Sequence, residues 1–189
     1  GEVSTVGALA VDNGVIYAGG RFAFAGGGTG TTSRSNLAAF DMAGNLMPWT
    51  HRVATASANW GYNTVNALAV DNGVIYAGGE FTSVVDSTRA TTRLHLAAFN
   101  AAGNLLPWNP GVEIEGTVHV LAVDNGVIYA GGKFESAGGG NGIAATRDSL
   151  AAFDTDGNLL SWAPHARNYH DLGYLSLIHI SEPTRRHLI

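Results

Sequence analysis

Three arginines stand at equivalent positions in this chain: Arg34, Arg93 and Arg147, each three residues ahead of a Leu-Ala-Ala-Phe block. A guanidinium offers a planar fork of donors that matches carboxylates and other anions. A recurring set is therefore a candidate ring for an acidic ligand. The same side chain can instead tie its own long loop to a backbone carbonyl or a neighbouring acid, and recurrence in every unit suits that role, since a ligand rarely meets all units alike. Trp60 and Tyr62 share a long connection with His51 and Arg52. They are of the types enriched at contact hot spots, and packing of Trp60 against its own loop is the simpler alternative. His119 occupies a position that is Gly7 and Asn66 elsewhere. A histidine there can serve as ligand or base, or as part of a polar lining. Arg34, Arg93, Arg147, Trp60, Tyr62 and His119 form the candidate ligand-binding set.

Other apparent motifs reduce to turn chemistry. Asp154-Thr155-Asp156-Gly157-Asn158 opens like a calcium loop, but such a loop needs several oxygen ligands and a closing bidentate acid. The equivalent Asp41–Asn45 and Asn100–Asn104 segments lack the second acid. Gly26-Gly27-Gly28 and Gly138-Gly139-Gly140 are not followed by the Gly-Lys-Ser/Thr or the helix that phosphate binding requires. We therefore predict no catalytic residue, no cofactor and no metal site. With a net charge of −5 and one lysine, Lys133, the chain lacks a nucleic-acid footprint. No apolar run has the length of a membrane span. Without cysteine there is neither a disulfide framework nor a thiolate zinc site.

The elements that carry these residues are set by a twelve-residue segment, Leu-Ala-Val-Asp-Asn-Gly-Val-Ile-Tyr-Ala-Gly-Gly, present unchanged at 9–20, 68–79 and 121–132. Asn-Gly between two apolar runs predicts a β-hairpin with a type I′ turn. That turn pairs Asp12 with Val15, Val11 with Ile16, Ala10 with Tyr17 and Leu9 with Ala18. Cross-strand partners share a face, so Leu9, Val11, Ile16 and Ala18 lie on one side, with Ala8, Ala10, Val15 and Tyr17 on the other. Both faces are apolar, which predicts cover on both.

Each copy continues to the Leu-Ala-Ala-Phe block, a Gly-Asn turn and a Trp at 49, 108 and 162, with spacings of 59 and 53 residues between copies. Four strands per unit are expected, in the first copy near 5–11, 15–22, 36–41 and 45–49. Tandem four-stranded units of this size are the signature of a β-propeller. The fold class predicted is all-β: a β-propeller fragment of three four-stranded antiparallel blades at about 4–50, 64–109 and 117–163. A β-helix is the structural competitor. The second connection of each blade and the connection between blades are long and variable. Strand alternation puts them at one end, predicted to be the binding face.

The order LAVDNGVIYAGG-x-F, then TR-x-x-LAAF, then GNLL-x-W resembles the delta-60 class of bacterial propeller repeats, similar in style to kelch blades, over residues 4–164. The resemblance implies a secreted or cell-surface bacterial protein, often very large. Three blades fall short of the roughly 4–8 that close a ring, so the expectation is a slice of a larger protein. Residues 1–174 are assigned to the partial propeller. Residues 175–189 resemble a translated sequencing adapter and are expected to be a non-native tail. The function expected is a non-catalytic binding or surface-display scaffold for a protein or glycan ligand. The alternative is a carbohydrate-active hydrolase or lyase using the propeller's central mouth.

Overall fold

A computed structural model describes residues 4–27, 30–55, 63–86, 89–113, 115–140 and 143–166. The protein is all-β, with no helix among the described residues. The first repeat holds β1 (Thr5–Asp12), β2 (Val15–Arg21), β3 (Phe24–Gly27), β4 (Gly30–Ser33) and β5 (Leu37–Asp41). After β6 (Arg52–Ala54), the second repeat gives β7 (Thr64–Asp71), β8 (Val74–Glu80), β9 (Ser83–Val85), β10 (Ala90–Thr92) and β11 (Leu96–Asn100). The third gives β12 (Thr117–Asp124), β13 (Val127–Lys133), β14 (Ser136–Ala137), β15 (Ala145–Thr146) and β16 (Leu150–Phe153).

The repeated hairpin forms in the register its turn dictates, with Asp12 opposite Val15, Val11 opposite Ile16, Ala10 opposite Tyr17 and Leu9 opposite Ala18. Asn13 and Gly14 take φ of 46° and 78°, the positive pair that the type I′ turn needs. The third strand then pairs with the second, giving sheets ordered β1-β2-β5, β7-β8-β11 and β12-β13-β16. Each first strand carries one bulge, at Gly7, Asn66 and His119.

The fourth strand expected near 45–49 is shorter than the sequence pattern suggests. It is one bridge per repeat, Phe40–Leu46, Phe99–Leu105 and Phe153–Leu159. Beyond it the chain leaves the ladder and carries Trp49 and Trp108 into the next repeat, where their Nε1–H groups donate to the Ala101 carbonyl at 3.2 Å and the Asp154 carbonyl at 3.0 Å. Pro48 and Pro107 have no N–H to extend the ladder there. The third repeat, with Ser161 there, still makes only the one bridge.

The long second connections are not open loops. They form outer hairpins, β3-β4, β9-β10 and β14-β15. The inter-repeat connection joins them: β6 pairs with β9 of the following repeat, and Val112 bridges Ala137. The variable segments thus meet one another, as their shared end predicts.

Two apolar clusters hold the repeats together. In one, Tyr17, Leu37, Trp49 and Val53 pack on Val65, Ile75, Ala77, Phe81 and Phe99. In the other, Tyr76, Leu96, Trp108 and Val112 pack on Val118, Ile128, Ala130, Phe134 and Phe153. The same ring ladder recurs, with Tyr17–Trp49–Phe99 centroids 5.2 and 5.8 Å apart and Tyr76–Trp108–Phe153 centroids 5.0 and 6.2 Å apart.

The Gly-Gly that ends the hairpin is explained by these contacts. A β-carbon at Gly19 or Gly78 would stand 2.5 Å from Cγ1 of Val65 or Val118 in the next repeat. A β-carbon at Gly20, Gly79 or Gly132 would collide with the carbonyl oxygen of Thr5, Thr64 or Thr117 across the hairpin. One glycine admits the neighbouring repeat and the other admits its own partner strand.

Candidate functional site

The inter-repeat strand β6 and the outer hairpin β9-β10 form one small sheet, and beside it opens a cleft of about 520 Å³. Its polar lining comes from His51, Asp86, Arg89, Thr91, Arg93 and Asn104, with Val84, Leu105, Leu106 and Pro107 as an aliphatic floor. Asp86 and Arg89 close the hairpin end. The Arg89 N–H donates to Asp86 Oδ1 at 2.8 Å, and the Asp86 N–H donates to the Arg89 carbonyl at 3.1 Å. Asn104 belongs to the turn after the third strand, and its N–H donates to Asn100 Oδ1 at 3.0 Å. His51 sits just before β6, its ring centroid 6.0 Å from that of Phe99.

Arg93 is the best-held member. Its Nη1 donates to the Thr92 carbonyl at 2.8 Å and its Nη2 to the Leu106 carbonyl at 2.9 Å, and only 8% of its surface is exposed. Burial lowers the pKa of this guanidinium from the usual arginine value. Arg147 repeats the arrangement, with Nη1 to Thr146 O at 2.8 Å and Nη2 to Leu160 O at 2.7 Å. Arg34 donates to Ser33 O at 2.9 Å. The Nε–H of all three is buried with no acceptor, out of a ligand's reach. Arg93 and Arg147 thus tie the end of the outer hairpin to backbone of the same repeat, whereas Arg34 bonds only the carbonyl next to it.

Of the candidate set, Arg93 lines the cleft, where it meets His51, whereas Arg34, Arg147 and His119 do not line it. His119 is exposed at the bulge of β12. Its counterpart Asn66 reaches into the next repeat, donating Nδ2–H to the Val118 carbonyl at 3.0 Å. Trp60 and Tyr62 lie outside the described residues. Asp86 and Arg89 are cleft residues that sequence reasoning missed. Their signal is a polar stretch between the β-branched pairs Val84-Val85 and Thr91-Thr92.

The Asp154 segment behaves as a turn. Its Oδ1 accepts the N–H groups of Asp156 and Asn158 at 3.0 and 2.8 Å, and Oδ2 accepts the Asn158 side chain at 2.9 Å. A carboxylate turned toward three N–H donors is arranged opposite to a cation ligand. No cluster of three or more His, Cys, Asp or Glu suited to a metal occurs among the described residues. Among the same residues, no helix is long and apolar enough to cross a membrane.

No protein-family model matches the chain, and no curated protein matches it. Among solved structures, the crystal structure of the computationally designed Ika4 protein is similar at 16% identity and a TM-score of 0.46, over 85% of this chain and 72% of that one. The crystal structure of the computationally designed Ika8 protein is similar at 14% identity and a TM-score of 0.35, over 85% of this chain and 62% of that one. These likenesses carry no assignment of function.

Proposed function

We propose that the chain is a non-catalytic β-propeller segment of the delta-60 type, a binding or display scaffold from a larger secreted bacterial protein. The ligand class is a protein or glycan, taken up where the variable connections gather. The observation that carries this reading is the cleft beside the β6-β9-β10 sheet. It combines an aliphatic floor with donors and acceptors from Asp86, Arg89, Thr91 and Asn104, on backbone pinned by Arg93. Sites of this kind recognise ligands through a few placed polar groups over apolar surface. The propeller reading rests on the repeat order and on first strands β1, β7 and β12 that lie side by side. The test is a glycan and peptide array probed with the chain, repeated with Asp86→Ala and Arg89→Ala. Loss of on the order of tenfold in affinity for any captured ligand is expected. Binding indifferent to both substitutions would place the ligand elsewhere.

A further inference from the structure

Four departures of the second repeat from its neighbours act at its cleft. Twelve residues of each hairpin are unchanged between repeats, so these departures stand out against a common frame. His51 stands where the other connections have Pro110 and Pro164. Asp86 and Arg89 stand where the first outer hairpin has Gly27 and Gly30, and residues 138–146 of the third hairpin carry no charge. Asn100 replaces Asp41 and Asp154. The second repeat is packed on both sides, by the first repeat in one apolar cluster and by the third in the other.

Register aligns three of these residues. Arg52 lies opposite Val85, and Val85 opposite Ala90, so the next row outward brings His51, Asp86 and Arg89 side by side. Neighbours across a ladder share a face, and all three line the cleft. The fourth departure acts through Asn104. In the other repeats the equivalent amide is held in the turn: Asn45 Nδ2 donates to Asp41 Oδ2 at 2.8 Å, and Asn158 Nδ2 to Asp154 Oδ2 at 2.9 Å. Asn100 has a donor in place of that second oxygen, and only the Asn104 backbone N–H is bound, at 3.0 Å to Asn100 Oδ1. The exposed Asn104 side chain is left to the cleft.

The fixed charges of the cleft are Arg89 and Arg93 against Asp86, a positive excess in a chain of net charge −5. Asp86 Oδ1 already accepts the Arg89 N–H. The exposed Arg89 guanidinium has no hydrogen-bond or ion-pair partner among the described residues. Arg93 is buried and held by carbonyls rather than by an acid. Two cations beside low-dielectric walls focus a field that favours an anion.

We infer that the cleft takes a carboxylate-bearing sugar, a uronate unit of an acidic glycan. The inference rests on the reading of this cleft as the binding site and names its ligand. The ligand carboxylate meets the planar fork of Arg89. Ring hydroxyls, which both donate and accept, are matched by Asp86, Asn104 and Thr91, while the C–H face of the ring lies on Leu105 and Pro107. An acidic peptide is served less well. A strand added to β10 needs its outward backbone groups. Arg89 and Arg93 bond toward β9, so the outward groups belong to Ala90 and Thr92. The Thr92 carbonyl is already taken by Arg93 Nη1 at 2.8 Å, and Ala90 alone keeps both groups.

Isothermal titration calorimetry of the full chain tests this with galacturonate, glucuronate and mannuronate trisaccharides, each beside its carboxyl-reduced neutral counterpart, and with triglutamate. At least one uronate should bind on the order of tenfold tighter than its neutral counterpart, a preference that shrinks as salt rises. Arg89→Ala should abolish that preference, a loss on the order of tenfold. Asn100→Asp recreates the acceptor that holds Asn45 and Asn158, and should weaken the uronate about threefold with an unchanged circular dichroism spectrum. Neutral sugars bound as tightly as the acids, or triglutamate bound tightest, overturn the acidic-sugar assignment; the cleft survives as the site if Asp86→Ala weakens them. Uronate binding that ignores both Arg89→Ala and Asn100→Asp overturns the cleft itself. If no probe binds, the inference falls, while a ligand captured on the array and lost with Asp86→Ala still keeps the cleft as the binding site.

Discussion

Residues 9–20 and 68–79 are the same twelve amino acids, yet they live in different surroundings. Leu68 and Val70 pack into an apolar cluster, whereas Leu9 and Val11 are mostly exposed. Both hairpins have the same register and the same turn. Local sequence therefore determines the hairpin and the neighbouring repeat determines its burial, as expected where each unit contacts only those beside it. The paired junctions and the open faces form an internal control, because chemically identical groups appear with and without a partner.

The largest test of that contrast is tryptophan truncation. Trp49 is 1% exposed and wedged between Tyr17 and Phe99, so Trp49→Ala should cost about 3–5 kcal/mol in urea denaturation. Trp162→Ala should cost about 1 kcal/mol in dilute solution, where its face is open. Equal losses at the two tryptophans would break the comparison.

Glycine substitution comes next. Gly78→Ala drives a methyl to 2.5 Å from Val118 Cγ1 and 3.3 Å from Leu121 Cδ1 in the junction, for a loss of about 1–3 kcal/mol. Gly131→Ala has as its one tight contact the exposed Val120 side chain, 2.8 Å away, with Leu150 Cδ2 at an ordinary 3.4 Å, so less than about 1 kcal/mol should be lost. Equal losses in thermal melts would show that the neighbour's valine is not what demands glycine.

Among the arginines, Arg93→Ala removes the donor that satisfies Leu106 O and should cost about 1–3 kcal/mol. Arg34→Ala, with its one bond to the adjacent Ser33 carbonyl, should cost less than about 1 kcal/mol. Hydrogen exchange at β10 reads the difference directly, with protection lost in the first variant only.

The smallest effect is a pH dependence confined to two of the three turns. Hydrogen bonds from Asn45, first from its side chain and then its backbone, hold Asp41 below the ordinary carboxylate pKa. At Asp154 burial pushes upward, but the Asn158, Asp156 and Gly157 donors together outweigh it and the pKa is again lowered. A pKa lower in the folded than in the unfolded chain means stability that is full above about pH 4 and lost as pH falls through the folded value. Asn100 makes the same turn without titrating. Asp154→Asn should therefore flatten the acid limb of a stability–pH profile, and Asn100→Asp should steepen it.

The hairpins were legible because Asn-Gly and period-two alternation encode turn and register locally, and the double apolar face announced a partner on each side. The outer hairpins were not. Strands of two to four residues such as Ser136–Ala137 and Gly30–Ser33 have no readable period, and β6 pairs with a strand of the following repeat. The fourth strand read longer than it is, since past the Leu105 bridge the apolar Leu106 and Trp108 serve the junction rather than a ladder. At the site, recurrence marked Arg93 and Arg147, but their acceptors are the carbonyls of Leu106 and Leu160, and nothing in a sequence labels a carbonyl. Asp86 and Arg89 stayed hidden because they occur in one repeat only.

Trp49 and Trp108 each complete the repeat after their own, donating to the Ala101 and Asp154 carbonyls of its turn. The segment copied in the gene and the segment that closes as a folded body are thus out of phase. Because the two junctions use the same Tyr, Trp and Phe, removing or duplicating one whole period joins surfaces that already fit, wherever the cut falls. Unequal recombination can change the number of repeats without designing a new contact, so the length of such an array is free to drift while its packing stays the same.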